Sequence, residues 1–297
     1  MTATPLNTDI DEVDGDIVSG EFSLTQEDFH HLANVLHAET GIALDPGKTS
    51  LVYARLAKRL RALNLTSFDS YNAHVSTSAQ ERRLMIEALT TNVTRFFREA
   101  HHFEHLAVEV LPKLFDHAQR GGRVRLWSAG CASGEEPYSI ALTILALLPD
   151  ATKYDIKILA TDIDTQVLRQ GERGQYPEGA IARIEPALRE RWMTRECDDA
   201  GAPVWGVGEE MRALVNFRAA SLLGDWPMKG PFQVIFCRNV VIYFDEALRD
   251  EVLNKMERLL TPGGYLYVGH SERLKESGEH LQFVGTSSYR KPGNLVQ

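Results

Sequence analysis

Cysteines and long apolar runs are scarce in this sequence. Of its 297 residues, only Cys131, Cys197 and Cys237 are cysteines, and none of them belongs to a CxxC pair. Widely spaced cysteines argue against a zinc site or a disulfide framework and are typical of a reducing compartment. The longest strongly apolar run, Ile140 to Leu148, is far shorter than the roughly 20 residues that span a bilayer. We therefore expect a soluble cytoplasmic protein with no bound metal and no segment inserted into a membrane.

Lys and Arg are absent from the first 47 positions, which contain ten Asp and Glu. The remaining positions carry 32 Lys and Arg against 31 Asp and Glu, so the net charge of −9 comes from the N-terminal region. A nearly neutral body lacks the basic surface that duplex nucleic acid requires, and we expect no nucleic-acid partner. Residues 1–20 are rich in Asp, Thr and Gly and predict a disordered acidic tail.

Residues 21–92 have the apolar periodicity of a small all-helical domain. One helix is predicted from about residue 48 to 63, with one apolar stripe. The other side of this helix carries the cations Lys48, Arg55, Lys58 and Arg59. No acidic residue occurs between Pro46 and Phe68, although surface helices usually mix charges of both signs. This face is therefore either an ordinary solvated surface or a docking surface for an acidic partner.

From Gly121 onward the pattern changes to alternating strands and helices. The predicted strands cover about 123–128, 155–160, 215–219, 232–237 and 265–269. Strands that alternate with helices indicate an open, doubly wound parallel sheet, which we assign to residues 93–297. The interval from about 174 to 213 has short strand and turn signals and predicts a small inserted β-subdomain.

A glycine loop follows the first strand of this sheet, where ligands of such folds bind. Its sequence, Ala129 to Glu136, lacks the GxGxxG pattern of dinucleotide-binding loops. Glu135 and Glu136 would repel a pyrophosphate at the following helix N-terminus, where anions usually bind. The loop therefore favours a neutral or cationic cofactor over a nicotinamide dinucleotide.

Polar residues also follow the second and fourth strands. Asp162 is placed to bind ribose hydroxyls, while Asp164 is the expected cap of the next helix. Arg238 and Asn239 end an apolar strand, which implies either a site or a satisfied network in the core. Together these segments predict a cleft for a nucleoside with a positive centre and no phosphate, a description that suits S-adenosylmethionine (AdoMet).

Five segments of the chain resemble the CheR family of chemotaxis receptor methyltransferases. They are TTNVTRFFRE, AGCASGEEPYS, LATDID, CRNVVIYFD and GGYLYVGHSE, in the family order. The resemblance spans about residues 22 to 290. It implies an α/β fold, with the Rossmann-like sheet of a class I AdoMet-dependent methyltransferase, an all-helical N-terminal domain that docks receptors and a small inserted β-subdomain.

The resemblance also implies roles for individual residues. The implied cofactor-binding residues are Asn92, Thr94, Arg98, Glu135, Asp162, Ser221, Leu222, Arg238 and Asn239. The implied catalytic residues beside the transferring methyl group are Arg98 and Tyr243. At the position of Ser221 the family often has Asn. The family's receptor substrates favour the docking role for Lys48, Arg55, Lys58 and Arg59.

The family reaction forms glutamate γ-methyl esters on methyl-accepting chemoreceptors and leaves S-adenosylhomocysteine. The resemblance therefore implies a cytoplasmic enzyme, expected as a monomer, that is recruited to membrane receptor arrays. A receptor tail peptide that adds a strand to the β-subdomain is a further implied partner. Two alternatives stay open. One is a non-catalytic module that binds AdoMet, and the other is a nicotinamide oxidoreductase, which the sequence of the glycine loop disfavours.

Overall fold

The computed structural model describes residues 16–18, 20–274 and 281–295. Within these ranges the chain forms two compact units. The first contains the described residues up to Glu39 together with Ala43–Leu89, and the second contains Thr40–Ile42 and the described residues from Thr90 onward. None of the helices in these ranges has the length and apolar character of a segment that crosses a bilayer.

The first unit consists of a short two-stranded sheet and helices. Its elements are β1 (Asp16–Val18), β2 (Leu24–Thr25), α1 (Gln26–Thr40), α2 (Thr49–Leu63), α3 (Phe68–Thr77) and α4 (Ala79–Leu89). Val52, Leu56 and Leu60 are buried on one face of α2, as its apolar periodicity predicts. β1 pairs antiparallel with β2, so the predicted disordered tail is a strand at these three residues. Its positions 1–15 and 19 lie outside the described residues.

The second unit contains the larger sheet. Its helices are α5 (His101–His105), α6 (Leu111–Gln119), α7 (Glu135–Leu147), α8 (Thr165–Arg173), α9 (Pro186–Trp192), α10 (Glu209–Leu214) and α11 (Glu246–Leu259). Its strands are β3 (Val124–Ala129), β4 (Ile156–Asp162), β5 (Gln175–Tyr176), β6 (Met193–Cys197), β7 (Pro203–Val207), β8 (Val215–Ala219), β9 (Phe232–Cys237), β10 (Leu260–Val268), β11 (Gln282–Gly285) and β12 (Ser288–Arg290). A π-helical turn, Leu106–Val110, joins α5 to α6.

The main sheet has seven strands in the order β11-β12-β10-β9-β3-β4-β8. The five strands from β10 to β8 are parallel to one another, and β12 is antiparallel to both of its neighbours, β10 and β11. All six residues of β9 are buried, as expected for a parallel strand covered on both faces. The five strands predicted from the sequence are all present, whereas the β11–β12 hairpin was not predicted. The open parallel sheet with helices between its strands agrees with the predicted α/β fold.

The order of strands reverses between β3 and β9. From β3 the chain adds β4 and β8 on one side, and it then returns to place β9 and β10 on the other. Ligands of open α/β sheets bind in the crevice outside the carboxyl ends of the strands at such a switch point. The loops after β3, β4 and β9 therefore define where the site must lie.

The interval from 174 to 213 contains a second, smaller sheet. Its strands have the order β5-β7-β6 and are antiparallel, and α9 precedes β6. Trp205 of β7 is buried, and the guanidinium groups of Arg189 and Arg195 lie 4.8 and 5.1 Å from its ring centroid. β6 is an edge strand of this sheet, with Thr194 and Arg195 exposed.

Candidate cofactor site and active site

The glycine loop after β3 packs against both neighbouring loops. The amides of Gly130 and Cys131 donate to the carbonyl of Thr161 at the end of β4. Gly130 has a φ of +76°, and a Cβ on it would lie 2.3 Å from Cγ2 of Val240 in the loop after β9. Glycine is therefore required here because the loops after β3 and β9 meet at this point.

Asp162 and Glu135 present two nearly buried carboxylates at this edge of the sheet, each 8% exposed. Asp162 accepts hydrogen bonds from the amides of Ala132 and Asp164, at 2.9 and 3.0 Å. Glu135 accepts one from the hydroxyl of Ser133 at 2.7 Å. Among the described residues, neither carboxylate has an Arg, Lys or His within ion-pair distance.

The electrostatic consequence is that these acids are desolvated without a counter-ion. Burial raises the pKa of Glu135. Burial also raises the pKa of Asp162, by more than the hydrogen bonds from backbone amides lower it. Burying an ionised carboxylate costs free energy unless a cation or hydrogen-bond donors compensate it. A ligand that brings positive charge or hydroxyl donors would recover that cost. This is the chemistry expected for the predicted cofactor.

Asn92 is held beside the start of α8. Its side-chain amide donates to Oδ2 of Asp164 at 2.6 Å, and Oδ1 of Asp164 accepts from the amides of Gln166 and Val167. Asp164 is thus the helix cap, as predicted, and Asp162 is not needed for that purpose. The structure brings Asn92 close to the loop that carries Asp162, whereas Thr94 is a half-buried residue two positions further along.

Ser221 and Leu222 follow β8, which pairs with β4. The amide of Ala220 donates to the carbonyl of Asp162, so this segment begins beside the predicted ribose-binding acid. The hydroxyl of Ser221 accepts from the amide of Leu223 at 3.1 Å. The side chain of Leu222 is buried in the core cluster on one face of the sheet. The segment therefore begins beside Asp162, and the side chains of Ser221 and Leu222 already contact other groups of the protein.

Arg98 lies in a turn with unusual backbone angles. Its neighbours Phe97 and Glu99 have φ angles of +50° and +57°, in the left-handed region that side chains other than Gly, Asn and Asp rarely adopt. The amide of Phe97 donates to the hydroxyl of Ser139 at 2.9 Å, which fixes the turn to α7. The guanidinium of Arg98 donates to the carbonyl of Val93 at 2.9 Å and has no carboxylate partner among the described residues.

Arg238 is the centre of a buried ion network. Its side chain is 1% exposed, and its nitrogens lie 2.9 Å from Oε2 of Glu136 and 3.0 Å from Oε2 of Glu99. It also donates to the carbonyl of Arg98. The sequence left a site or a satisfied core network open for this residue, and the side chain forms the network. The hydrogen bonds of the guanidinium go to protein partners, and the implied cofactor role of Arg238 stays a prediction.

The loop after β9 is held by a further buried carboxylate. Glu272 is 1% exposed and accepts from the amides of Asn239, Val240, Ile242 and Gly269. Asn239 has a φ of +59°, and its Oδ1 is buried without a hydrogen-bond partner among the described residues. Tyr243 ends the short 3₁₀ turn Val241–Tyr243 in this loop and is half-buried.

The cationic face of α2 has more internal partners than its sequence indicates. Nε and Nη2 of Arg59 donate to the two carboxylate oxygens of Glu81, which is 3% exposed, at 2.9 and 2.7 Å. Arg55 donates to the carbonyls of Ala88 and Leu89 at the end of α4. α2 itself contains no acidic residue, but Glu81 of α4 supplies a counter-charge for Arg59 in the folded unit. Arg59 is thus part of the unit's own structure.

The other two predicted docking residues are exposed. Lys48 precedes α2, and Lys58 lies on the solvent face of that helix. Lys58 has no ion-pair partner among the described residues. Lys58 is therefore the clearest candidate on α2 for contact with another molecule.

Sequence reasoning missed Glu99, Glu136 and Glu272. Each lies inside a segment that carries the family resemblance, but none was assigned a role. Their signal was present at Arg238: an arginine at the end of an apolar strand requires buried acceptors, and acids in neighbouring loops are the suitable ones. Which acids meet it depends on the turn geometry at residues 96–99, which the sequence pattern does not reveal.

Two family models match this chain. One, described as CheR methyltransferase, SAM binding domain, matches residues 92–290. The other, described as CheR methyltransferase, all-alpha domain, matches residues 27–90. Their boundary lies close to the division between the two compact units.

Curated relatives match nearly the whole chain. It is 46% identical to a probable chemotaxis protein methyltransferase of Rhizobium etli, over 86% of this chain and 96% of that protein. It is 41% identical to chemotaxis protein methyltransferase 2 of Pseudomonas aeruginosa, over 91% of this chain and 94% of that protein. The identity to a chemotaxis protein methyltransferase of Escherichia coli K12 is 37%, over 90% and 91% of the two chains. The chain therefore belongs to the CheR methyltransferase family, and it is an AdoMet-dependent methyltransferase.

Proposed function

We propose that this chain transfers the methyl group of AdoMet to glutamate side chains of chemoreceptors, forming γ-methyl esters and S-adenosylhomocysteine. Family membership and the chemotaxis relatives support the reaction class and the receptor substrate. The observation that carries the site assignment is the pair of buried carboxylates, Glu135 and Asp162, that have no counter-ion among the described residues.

The residues at the switch point fit the chemical groups of AdoMet. When bound, AdoMet supplies a methyl group on a positively charged sulfur. Glu135 is suited to the ammonium of the amino-acid end, and Asp162 to the ribose hydroxyls, because each carboxylate is desolvated and still has acceptor capacity. The unpartnered Oδ1 of Asn239 supplies a further acceptor in the loop after β9.

The remaining residues implied by the family lie on the loops around these acids. We propose that Asn92, Thr94 and Arg98 line the site from the segment after residue 90, and that Ser221 and Leu222 line it after β8. The Ser221 and Leu222 side chains have protein partners, so their backbone groups are the proposed contacts. For Arg238 we likewise propose a backbone contact and a positioning role for the side chain.

The reaction needs alignment more than acid–base chemistry. A glutamate carboxylate has a pKa of about 4.3, so it is already ionised near neutral pH and attacks the methyl carbon without a general base. Arg98 is proposed to hold one carboxylate oxygen, and Tyr243 to orient the other or to pack beside the methyl group. Among the described residues Arg98 has no acidic partner, so its charge is not already neutralised within the protein. Correct positioning supplies up to about 7–11 kcal/mol in favourable systems.

We propose that receptor helices rich in Glu dock on the exposed cations of α2. Lys58 is the primary candidate, with Lys48 beside the start of the helix. Arg55 and Arg59 add to the positive field, but their side chains are used inside the first unit. Such complementarity mainly raises the association rate and fixes register.

A second recognition element is proposed at the inserted sheet. β6 is an edge strand, so its outward backbone groups are available for a peptide that adds a strand. Thr194 and Arg195 are exposed along it. A receptor tail peptide bound there would recruit the enzyme, acting as a monomer on the cytoplasmic side, to membrane receptor arrays.

The test is transfer of radiolabelled methyl from AdoMet to receptor-bearing membranes. The proposal expects label that alkali releases as methanol, because esters hydrolyse in base, and none on membranes whose receptor acceptor glutamates are replaced by alanine. The Asp162→Asn enzyme is expected to bind S-adenosylhomocysteine more weakly in calorimetry. Binding of S-adenosylhomocysteine without any transfer by the wild-type enzyme would instead favour a non-catalytic module.

A further inference from the structure

The two candidate catalytic residues, Arg98 and Tyr243, both lie outside regular helices and strands. Arg98 is in the turn at residues 96–99, and Tyr243 is in the 3₁₀ turn after β9. Irregular segments are the more mobile parts of a fold unless other groups fix them. Methyl transfer requires a fixed line of oxygen, carbon and sulfur, so something in the protein must hold these two turns still.

The Arg98 turn is held by the side chain of Glu99. Its Oε2 accepts from Nε and Nη2 of Arg238 at 3.2 and 3.0 Å, and its Oε1 lies 2.8 Å from Nδ1 of His270. The amide of His270 also donates to Oε1 at 3.3 Å. One carboxylate therefore joins the turn to the residue that follows β9 and to the residues that follow β10.

The backbone of the turn explains why such a clamp is needed. Glu99 and Phe97 both occupy the left-handed region, which costs free energy for side chains of this kind. Phe97 is retained by the hydrogen bond from its backbone amide to the hydroxyl of Ser139 and by its edge contact with the ring of Phe103, with centroids 5.3 Å apart. Glu99 is retained by its side-chain contacts with Arg238 and His270. Without these contacts the backbone of Glu99 would return to a more favourable φ, and Arg98 would move with it.

The Tyr243 turn is held by Glu272. The carboxylate accepts hydrogen bonds from the backbone amides of Asn239, Val240 and Ile242. These three contacts span the loop from the end of β9 to the residue before Tyr243. It accepts a further amide from Gly269, at the end of β10. A buried carboxylate that accepts several backbone amides fixes a loop as a helix cap fixes a helix end.

Both clamps end at the same corner of the sheet. Glu99 reaches His270, and Glu272 is itself in that corner and binds Gly269. Arg238 then connects the two turns directly, since it follows β9 and donates to the carbonyl of Arg98.

We propose that Glu99 and Glu272 are positioning residues for methyl transfer, which fix the Arg98 turn and the Tyr243 turn to the corner after β10. This inference rests on the proposed function, because it takes Arg98 and Tyr243 to face the reacting atoms. Neither carboxylate touches substrate in this scheme. Each acts through the backbone that carries a catalytic side chain.

Charge balance makes Glu99 the better residue to perturb. Arg238 faces two carboxylates, Glu99 and Glu136, so removal of Glu99 leaves one buried cation paired with one buried anion. In Glu99→Gly the glycine also adopts the positive φ without steric cost. This variant therefore removes the clamp while it relieves the backbone, whereas Glu99→Gln keeps a side chain that still hydrogen-bonds Arg238.

The experiment measures kcat for receptor methylation, calorimetric affinity for S-adenosylhomocysteine and thermal stability on the same preparations. A misplacement of about 1 Å costs on the order of 100-fold in rate, so Glu99→Gly is expected to lower kcat about 10–100-fold. Removal of Glu99 leaves Nε of Arg238 without its acceptor, so the rates are compared below the melting temperature of each variant. Glu99→Gln should recover most of the rate. Glu104→Gln is the matched control, an exposed acid on α5 that is expected to leave kcat unchanged.

Glu272→Gln tests the second clamp. An amide group in place of the carboxylate brings N–H donors against backbone amides, so kcat is expected to fall, and the comparison is made below the melting temperature of the variant. Glu99→Gly with wild-type kcat would overturn the inference, as would a loss of rate that only follows the folded fraction in both variants. Failure of the wild-type enzyme to methylate receptors would instead reject the proposed function.

Discussion

Replacement of Arg238 by methionine is expected to destabilise the second unit strongly. The guanidinium is 1% exposed and is the counter-ion for Glu99 and Glu136, at 3.0 and 2.9 Å. Methionine fills much of the same volume, but it leaves the buried Glu136 without a cation and removes the Arg238 contacts from Glu99, which keeps those to His270. Loss of one partner from a buried ion pair costs about 3–5 kcal/mol. For a domain of this size each kcal/mol lowers Tm by about 2–4 °C, so the expected fall is about 6–20 °C.

The loss should depend on pH in a defined direction. Burial raises the pKa of Glu99, but the hydrogen bond from His270 and the charge of Arg238 outweigh it and lower that pKa to about 2. In Arg238→Met burial is less opposed, and the pKa of Glu99 should rise. Burial already raises the pKa of Glu136 despite Arg238, so that pKa should rise further. An acid whose pKa is raised in the folded state costs stability at pH values above that raised pKa, so the deficit should shrink as pH falls through the raised pKa of Glu136.

Tryptophan fluorescence during urea denaturation is the suitable assay. The four tryptophans, Trp127, Trp192, Trp205 and Trp226, all lie in the second unit, so their emission follows that unit alone. Arg123→Met is the control, because Arg123 is 74% exposed and its contact with Asp155 is on the surface. A loss below about 1 kcal/mol near pH 7, the value of an ordinary surface pair, would refute the network as described.

Further predictions concern the cofactor and receptor sites. Asp162→Ala should weaken S-adenosylhomocysteine binding about 10-fold in calorimetry, since a desolvated acceptor is lost, and unchanged affinity would contradict its role. Burial raises the pKa of Glu135, so cofactor affinity should fall as pH drops through that raised pKa. Calorimetry in buffers of different ionisation enthalpy should show proton release on binding. An affinity that does not change with pH would argue against an ionised Glu135. Lys58→Glu should raise KM for receptor several-fold at low salt with kcat unchanged, and a KM equal to that of the wild type would reject the docking face. Arg59→Glu should instead unfold the first unit, because the new carboxylate faces the buried Glu81, and circular dichroism would show the loss of helix. Arg98→Ala should lower kcat and retain measurable cofactor affinity, and wild-type turnover would remove Arg98 from the mechanism.

The parallel sheet was predictable because its strands are continuous apolar runs between turn signals. β9, with every residue buried, is the clearest case. The hairpin β11–β12 escaped prediction because its strands have only four and three residues, too few to show an alternating pattern. Asp16–Val18 lie within the predicted tail of residues 1–20 and form a strand by pairing with β2, and pairing of this kind leaves no periodic signal.

The site was predictable where chemistry and strand ends coincide. Asp162 ends β4 and Asp164 caps the next helix, as their spacing predicts, while the ribose-binding role of Asp162 stays a prediction. Arg59 and Arg238 show the limit of such reasoning. Their partners, Glu81 and Glu99, are distant in sequence and meet them only through tertiary packing, so charges that look available in the sequence are used inside the fold.

A crystal structure with bound S-adenosylhomocysteine tests the central claim most directly, since that claim assigns the cofactor to two desolvated carboxylates. The account predicts ribose hydroxyls within hydrogen-bond distance of Asp162 and the ligand's ammonium directed to Glu135. A ligand bound elsewhere, or one that leaves both carboxylates without a partner, would contradict it.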